Sequence, residues 1–165
     1  MAEQCHLPDR SVDLITGGHA IHWVDGESFY SEVRRVAKPE CVLALFGFRD
    51  AVVSPEVDAV TAYYIHELLG PFWIAEVKNL DDSQFRNLRF PFQEMVFPEF
   101  AIRVTWNPEQ LLALYSSYSG AQAFQDSHGH NPTELIREQI IAAWGGQGRL
   151  REILIPIYMR VGKIP

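Results

Sequence analysis

Residues 41–48, Cys-Val-Leu-Ala-Leu-Phe-Gly-Phe, are apolar at almost every position. The run lacks the alternation of a strand with one wet face. It reads as a parallel strand covered on both faces. A parallel strand needs a neighbour running the same way, reached by a crossover of a dozen or more residues. The preceding sequence supplies one. Val12 to Thr16 is a short apolar strand that runs into Gly17-Gly18. Asp25 is placed to cap a helix, and Glu27 suits the positive end of its dipole. Phe29, Tyr30, Val33, Val36 and Ala37 share one helical face, Arg34, Arg35 and Lys38 fill the last turns, and Pro39 stops the helix. Strand, helix and strand in this order predict a right-handed βαβ crossover and an α/β fold.

The rest of the chain continues the pattern with less regularity. Ser54-Pro55-Glu56 opens a helix that carries Val57, Val60, Tyr64 and Leu68 and ends at Gly70-Pro71. Phe72 to Phe92 reads as a long irregular stretch, and a loop of that length is usually functional. Its Phe72, Trp73, Phe90 and Phe92 suit either a lid or ordinary core. Gln93–Phe97 and Phe100–Trp106 are strand-like. Asn107 and Gln110 have capping-box spacing, and Asn131-Pro132-Thr133-Glu134 starts a helix reaching Trp144. Leu150 to Val161 is a long terminal strand, where Pro156 predicts an edge position or a bulge. No repeat or linker divides the chain, so residues 1–165 read as a single domain.

Composition narrows the function. Hydrophobic residues make up 47% and charged residues 21%, as in a globular protein. The formal net charge of −7, with no basic run, argues against nucleic acid as a partner. No apolar run is long enough to span a bilayer, and no membrane partner is expected. Cys5 and Cys41 form no CxxC pair, which fits reduced thiols and a cytoplasmic location. His128-Gly129-His130 has an uncommon spacing for metal ligands and no accompanying Cys or carboxylate cluster, so no metal is expected.

The question is what the strand-end stretch Gly17-Gly18-His19-Ala20-Ile21-His22-Trp23-Val24-Asp25 does. Ligands of α/β sheets bind at the carboxyl ends of strands. Residues 2–48 together resemble the second half of a class I S-adenosylmethionine-dependent methyltransferase. The family's sequence there has an "AE" loop, "LP…S.D.v", a strand, "HW", a helix carrying "F..E..RVL.P" and an apolar strand. Leu88–Met95, Tyr115–Phe124 and Pro156–Gly162 resemble the branch related to trans-aconitate methyltransferases. The resemblance implies an incomplete Rossmann-like fold, with a mixed sheet of parallel strands, a C-terminal antiparallel strand, and helices packed on it.

The resemblance also implies site residues. Ala2 and Glu3 match the loop at the adenine end of the cofactor, and Gly17, Gly18 and His19 fall on the cofactor side. Gly17 and Gly18 would let backbone approach the ligand. Read on its own, His19 is a structural residue. His22 and Trp23 match the "HW" that lines the acceptor pocket, although each also suits ordinary packing. Ser117, Tyr118 and Ser119 match a "SWS"-like motif over the acceptor, with Tyr118 where the family usually has Trp. The implied reaction is methyl transfer from S-adenosylmethionine to a small molecule. That branch implies a carboxylate acceptor, for which Arg103 and Arg86 are the candidate cations.

Two departures stand out. The family's Gly-rich turn and ribose-binding acidic residue are not in the sequence. About 90 residues of strand–helix units, at about 30 per unit, would carry them. The expectation is a truncated form that does not methylate alone and whose strand Val12–Thr16 is an open edge, suited to a homodimer or another paired chain. The alternative is a non-catalytic binding or regulatory partner of a full-length methyltransferase. The second departure is Lys38-Pro39-Glu40-Cys41 in place of a "P-G-G" turn. Glu40 and Cys41 take a positive φ less readily than Gly, so a differently built turn is expected.

Overall fold

The computed structural model describes residues 2–165. Contacts group the chain into two units, each with its own core. The first comprises the described residues up to Arg49, with Glu76–Phe100 and Ile157–Pro165. The second comprises Asp50–Ala75 and Ala101–Pro156.

In the first unit, β1 (Val12–Gly18) is joined through helix α1 (Gly26–Val36) to β2 (Ala37–Phe48), and the two strands pair in parallel. Asp25 caps α1 by accepting a hydrogen bond from the Ser28 N–H. The last part of β5 (Arg151–Lys163) runs antiparallel to β2, from Phe48 opposite Ile157 to Val42 opposite Lys163. The short β3 (Gln93–Glu94) follows on the far side of β5. The mixed α/β sheet is the one expected. Cys41, Leu43 and Leu45 are buried with Phe29, Tyr30, Val33, Phe85 and Tyr158, which forms the core.

Three local expectations change. β2 is not equally covered: residues 41, 43, 45 and 47 are buried, while 42, 44, 46 and 48 are half-buried. The Lys38–Cys41 stretch forms no turn between helix and strand. It is a bulge inside β2, where the register with β1 shifts. Glu40 does adopt a left-handed backbone there, with φ 68°. Its N–H donates to the Ile164 carbonyl at 3.1 Å, and Lys163 pairs with its carboxylate. The ladder and the ion pair offset a strain that glycine would not carry. Within the stretch expected to be a loop, Ala75–Asp82 is helix α3, with Val77 buried and a Lys78–Asp82 ion pair one turn apart.

The second unit is mainly helical: α2 (Pro55–Ala62), α4 (Pro108–Ser116), α5 (Ser119–His128) and α6 (Arg137–Trp144). Val57, Tyr64, Leu111, Tyr115, Ile136, Ile140, Trp144 and Ile153 are fully buried. The Asn107–Gln110 capping box forms as expected. The helix expected from Ser54 to Leu68 passes after Ala62 into a π-helical turn, Tyr63–Leu68. The one expected after Asn131 begins as a 3-10 turn, Pro132–Leu135. β4 (Phe100–Trp106) pairs with β5. Pro156 is not on an edge strand. β5 lies between β2 and β3 in the sheet order, with neighbours on both sides.

Candidate functional site

β1 and β2 are parallel, so their carboxyl ends lie together, at Gly18 and Phe48. The sequence-predicted stretch 17–25 leaves from this end. The missing Cβ atoms of Gly17 and Gly18 have a packing reason. A Cβ on Gly17 would stand 3.0 Å from Leu45 Cδ2, and one on Gly18 would stand 2.9 Å from the Phe46 ring. The glycines make room for the neighbouring strand's side chains.

His19 follows in a left-handed backbone, with φ 44°. Its Nε2 accepts the Phe48 N–H at 2.7 Å, which leaves the proton of the neutral ring on Nδ1. A strained non-glycine residue at a strand end is the kind of feature that clusters at ligand sites. His22 lies in a single 3-10 turn, Ile21–Trp23. Its Nδ1 is buried with no hydrogen-bond partner among the described residues. Burial holds its pKa below the ordinary 6.5, although the Asp81 carboxylate pulls upward and His19 pushes further down. A neutral imidazole with an unpartnered nitrogen is able to accept a proton. Trp23 lies 5.0 Å from His22, ring to ring, and is 59% exposed, so it does not fill the gap between strand and helix.

The N-terminal loop is tied to α1. Glu3 accepts the Asp25 N–H at 3.3 Å, while Ala2 is exposed. Buried Glu32 accepts the Cys5 N–H at 2.8 Å and two bonds from Arg35, which also pairs with Asp9 at 2.5 Å. The Arg35 guanidinium, with the Cys5 N–H, holds the Glu32 carboxyl well below the usual carboxylate range.

Two residues of this region escaped the sequence reading. The Tyr158 hydroxyl donates to Asp81 Oδ1 at 2.7 Å, joining β5 to α3. Tyr158 faces Gly47, where a Cβ would come within 2.4 Å of the hydroxyl oxygen. Its ring lies 6.2 Å from that of His19, and Phe85, itself left-handed at φ 62°, packs edge-on at 4.9 Å. The available signal was Gly47: a glycine inside an apolar strand marks a close approach.

In the second unit, Ser117 and Ser119 are exposed, and Tyr118 is half-buried at the start of α5. The Ser117 hydroxyl donates back to the Leu114 carbonyl at 2.6 Å. The Tyr118 ring stands 5.9 Å from Trp73 and 5.4 Å from Tyr115. Gly120 admits the Trp73 ring, and Trp73 donates to the Ile65 carbonyl of the π-turn. The aromatics offered as a lid are packed separately: Phe72 against Phe124 and His128, and Phe90 and Phe92 against Tyr30. Of the cations suggested for a carboxylate, Arg103 pairs with Glu152 at 3.4 Å, and Arg86 is exposed. Among the described residues, no three His, Cys, Asp or Glu side chains group as a metal would require. No helix of these residues is long and apolar enough to cross a membrane.

Comparison with known proteins fits this arrangement. Residues 1–45 match the family model described as a methyltransferase domain. A solved structure from Anaeromyxobacter dehalogenans, assigned as a type II methyltransferase, is 35% identical. It superposes with a TM-score of 0.87 over 98% of this chain and 68% of its own. A curated Dictyostelium discoideum protein assigned as a methyltransferase is 27% identical over 98% of the chain. The chain spans 64% of that relative's length. With the parallel strand pair, its βαβ connection and the antiparallel closing strand, these matches place the chain in the family of class I S-adenosylmethionine-dependent methyltransferases.

Proposed function

We propose that this chain forms the acceptor-binding side of a methyltransferase that takes a methyl group from S-adenosylmethionine and acts on a small molecule. The supporting observation is His22, a half-buried imidazole whose buried Nδ1 has no partner among the described residues, beside exposed Trp23 at the carboxyl ends of two parallel strands. Trp23 gives an acceptor an apolar face, and His22 gives it a proton-accepting group. His19, fixed by the Phe48 N–H, holds the loop that carries both.

The fit to the methyl donor is partial. Glu3 and the backbone of Gly18 and His19 stand at the strand end where such a group would be held, and Ala2 is exposed beside them in sequence. The space at Gly17 and Gly18 is already filled by Leu45 and Phe46. When bound, the donor supplies an electrophilic methyl group. The protein's part is orientation and exclusion of water. The sequence holds neither the Gly-rich turn nor the ribose-binding acid, so the expected result for these 165 residues alone is no methyl transfer.

Isothermal titration of S-adenosylhomocysteine into the chain, and into the chain with a complementary strand–helix half added, tests the reading. Binding only with the added half, weakened by Trp23→Ala when a small acceptor is present, supports it. Absence of binding in both sinks it. The edge of β1 favours a second reading: Leu14 is 60% exposed, and β2 is the strand's one neighbour among the described residues. There the chain is a non-catalytic partner that pairs through this edge with a second copy or a full-length methyltransferase. Light scattering of the pure chain, and of a Leu14→Lys variant, separates that case: a dimer dissolved by the substitution supports it.

A further inference from the structure

His22, His19, Tyr158 and Asp81 come from four places in the first unit: the 3-10 turn after β1, the end of β1, β5 and α3. The ring of His22 lies 6.5 Å from that of His19, which lies 6.2 Å from that of Tyr158, whose hydroxyl is held by Asp81 at 2.7 Å. The arrangement is costly to build. It needs a glycine at position 47, left-handed backbone at His19 and Phe85, and a buried nitrogen with no described partner. A buried polar atom left unpaired calls for an explanation beyond packing.

We propose that Asp81 and Tyr158 are a positioning pair for His22, and that these side chains form a proton-accepting subsite for a methyl acceptor that arrives with its proton, a hydroxyl or an amine. The inference rests on the reading of His22 as acceptor-facing. The Tyr158 hydroxyl spends its proton on Asp81, so it fixes the carboxylate in place. The charged and titratable groups acting on His22 are that carboxylate and His19. Both carboxylate and imidazole accept hydrogen bonds, so the subsite suits a ligand that donates one. A carboxylate acceptor would face Asp81 as a like charge. In the step, the O–H bond of a hydroxyl acceptor, or one N–H bond of the ammonium form of an amine, breaks, and its proton goes to the His22 imidazole. The imidazolium formed is stabilised by Asp81. The electron pair left on oxygen or nitrogen bonds the methyl carbon of a sulfonium donor, whose carbon–sulfur pair returns to sulfur.

The test is a pH titration of the full chain labelled with 15N-histidine, read at the ring nitrogens of His22 and assigned with His22→Gln. Asp81→Asn should lower the His22 midpoint by roughly half a unit or more, the scale of a nearby opposite charge. Tyr158→Phe keeps the ring but frees the carboxylate, and should shift the midpoint part of the way in the same direction. A midpoint that stays put in both variants, with native near-ultraviolet circular dichroism, overturns the positioning role. With the wild-type chain, 2-aminoethanol should move the His22 nitrogen shifts and propionate should not. The reverse order overturns the acceptor class. Lack of S-adenosylhomocysteine binding even with the complementary strand–helix half added, with the His22–Asp81 coupling intact, overturns the methyltransferase reading alone.

Discussion

The two units treat left-handed backbone in opposite ways. In the first, the residues with positive φ outside glycine are Arg10, His19, Glu40, Gln84 and Phe85. In the second, every described residue with positive φ is a glycine: Gly129, Gly145 and Gly146. A left-handed L-residue costs about 1–2 kcal/mol, and glycine avoids that cost. The helical unit uses glycine where a helix only has to end, as after α5 and α6. The sheet unit accepts strain where a particular side chain has to stand, His19 against Phe48 and Phe85 against Tyr158. Stored strain of this kind gathers at ligand sites.

The contrast can be broken by substitution. The largest effect is expected from Gly47→Ala. Its methyl group would collide with the Tyr158 hydroxyl, and overpacking of this kind costs about 1–3 kcal/mol in urea unfolding. Combining it with Tyr158→Phe should recover part of the loss, because the two groups share the same space. Next is Gly145→Ala, which forces a left-handed alanine at the end of α6 and should cost about 1–2 kcal/mol. Glu40→Gly should go the other way. Relief of strain at the bulge outweighs the lost surface ion pair to Lys163, for a gain of about 1 kcal/mol or less. If Glu40→Gly destabilises as much as Gly145→Ala does, the contrast between the units is not one of strain.

The smallest effects are those of pH. The folded-state pKa of His22 lies below its ordinary 6.5, so the unfolded chain binds more protons there. His22 therefore contributes stability that is full above pH 6.5 and is lost as pH falls through its folded value. Glu32 behaves likewise from a lower start: its contribution is full above its ordinary 4.5 and is lost in stronger acid. Thermal unfolding should show two successive losses on acidification. His22→Gln should remove the first, and Glu32→Gln the second.

Much of the fold was legible because its signals are local. The apolar run 41–48, the Asp25 cap and the Asn107–Gln110 box each lie within a few residues, and each formed. Helices α3 and α5 were not legible. Neither is preceded by a capping side chain: Ile74 stands before α3 and Tyr118 before α5. The site divided in the same way. His22 and Trp23 stand in a contiguous strand-end motif. Asp81 and Tyr158 meet across 77 positions of chain, and only their contact, made by folding, brings them together.

The close approach of Tyr158 to Gly47 also bears on how this family can drift. A methyl group at 47 and a hydroxyl at 158 claim one volume, so the two positions behave as a single inherited character. Relatives that keep a tyrosine opposite the strand should keep the glycine as well. Those that have lost the tyrosine are free to carry alanine or serine at 47. In an alignment deep enough to count them, the two columns should change together or not at all.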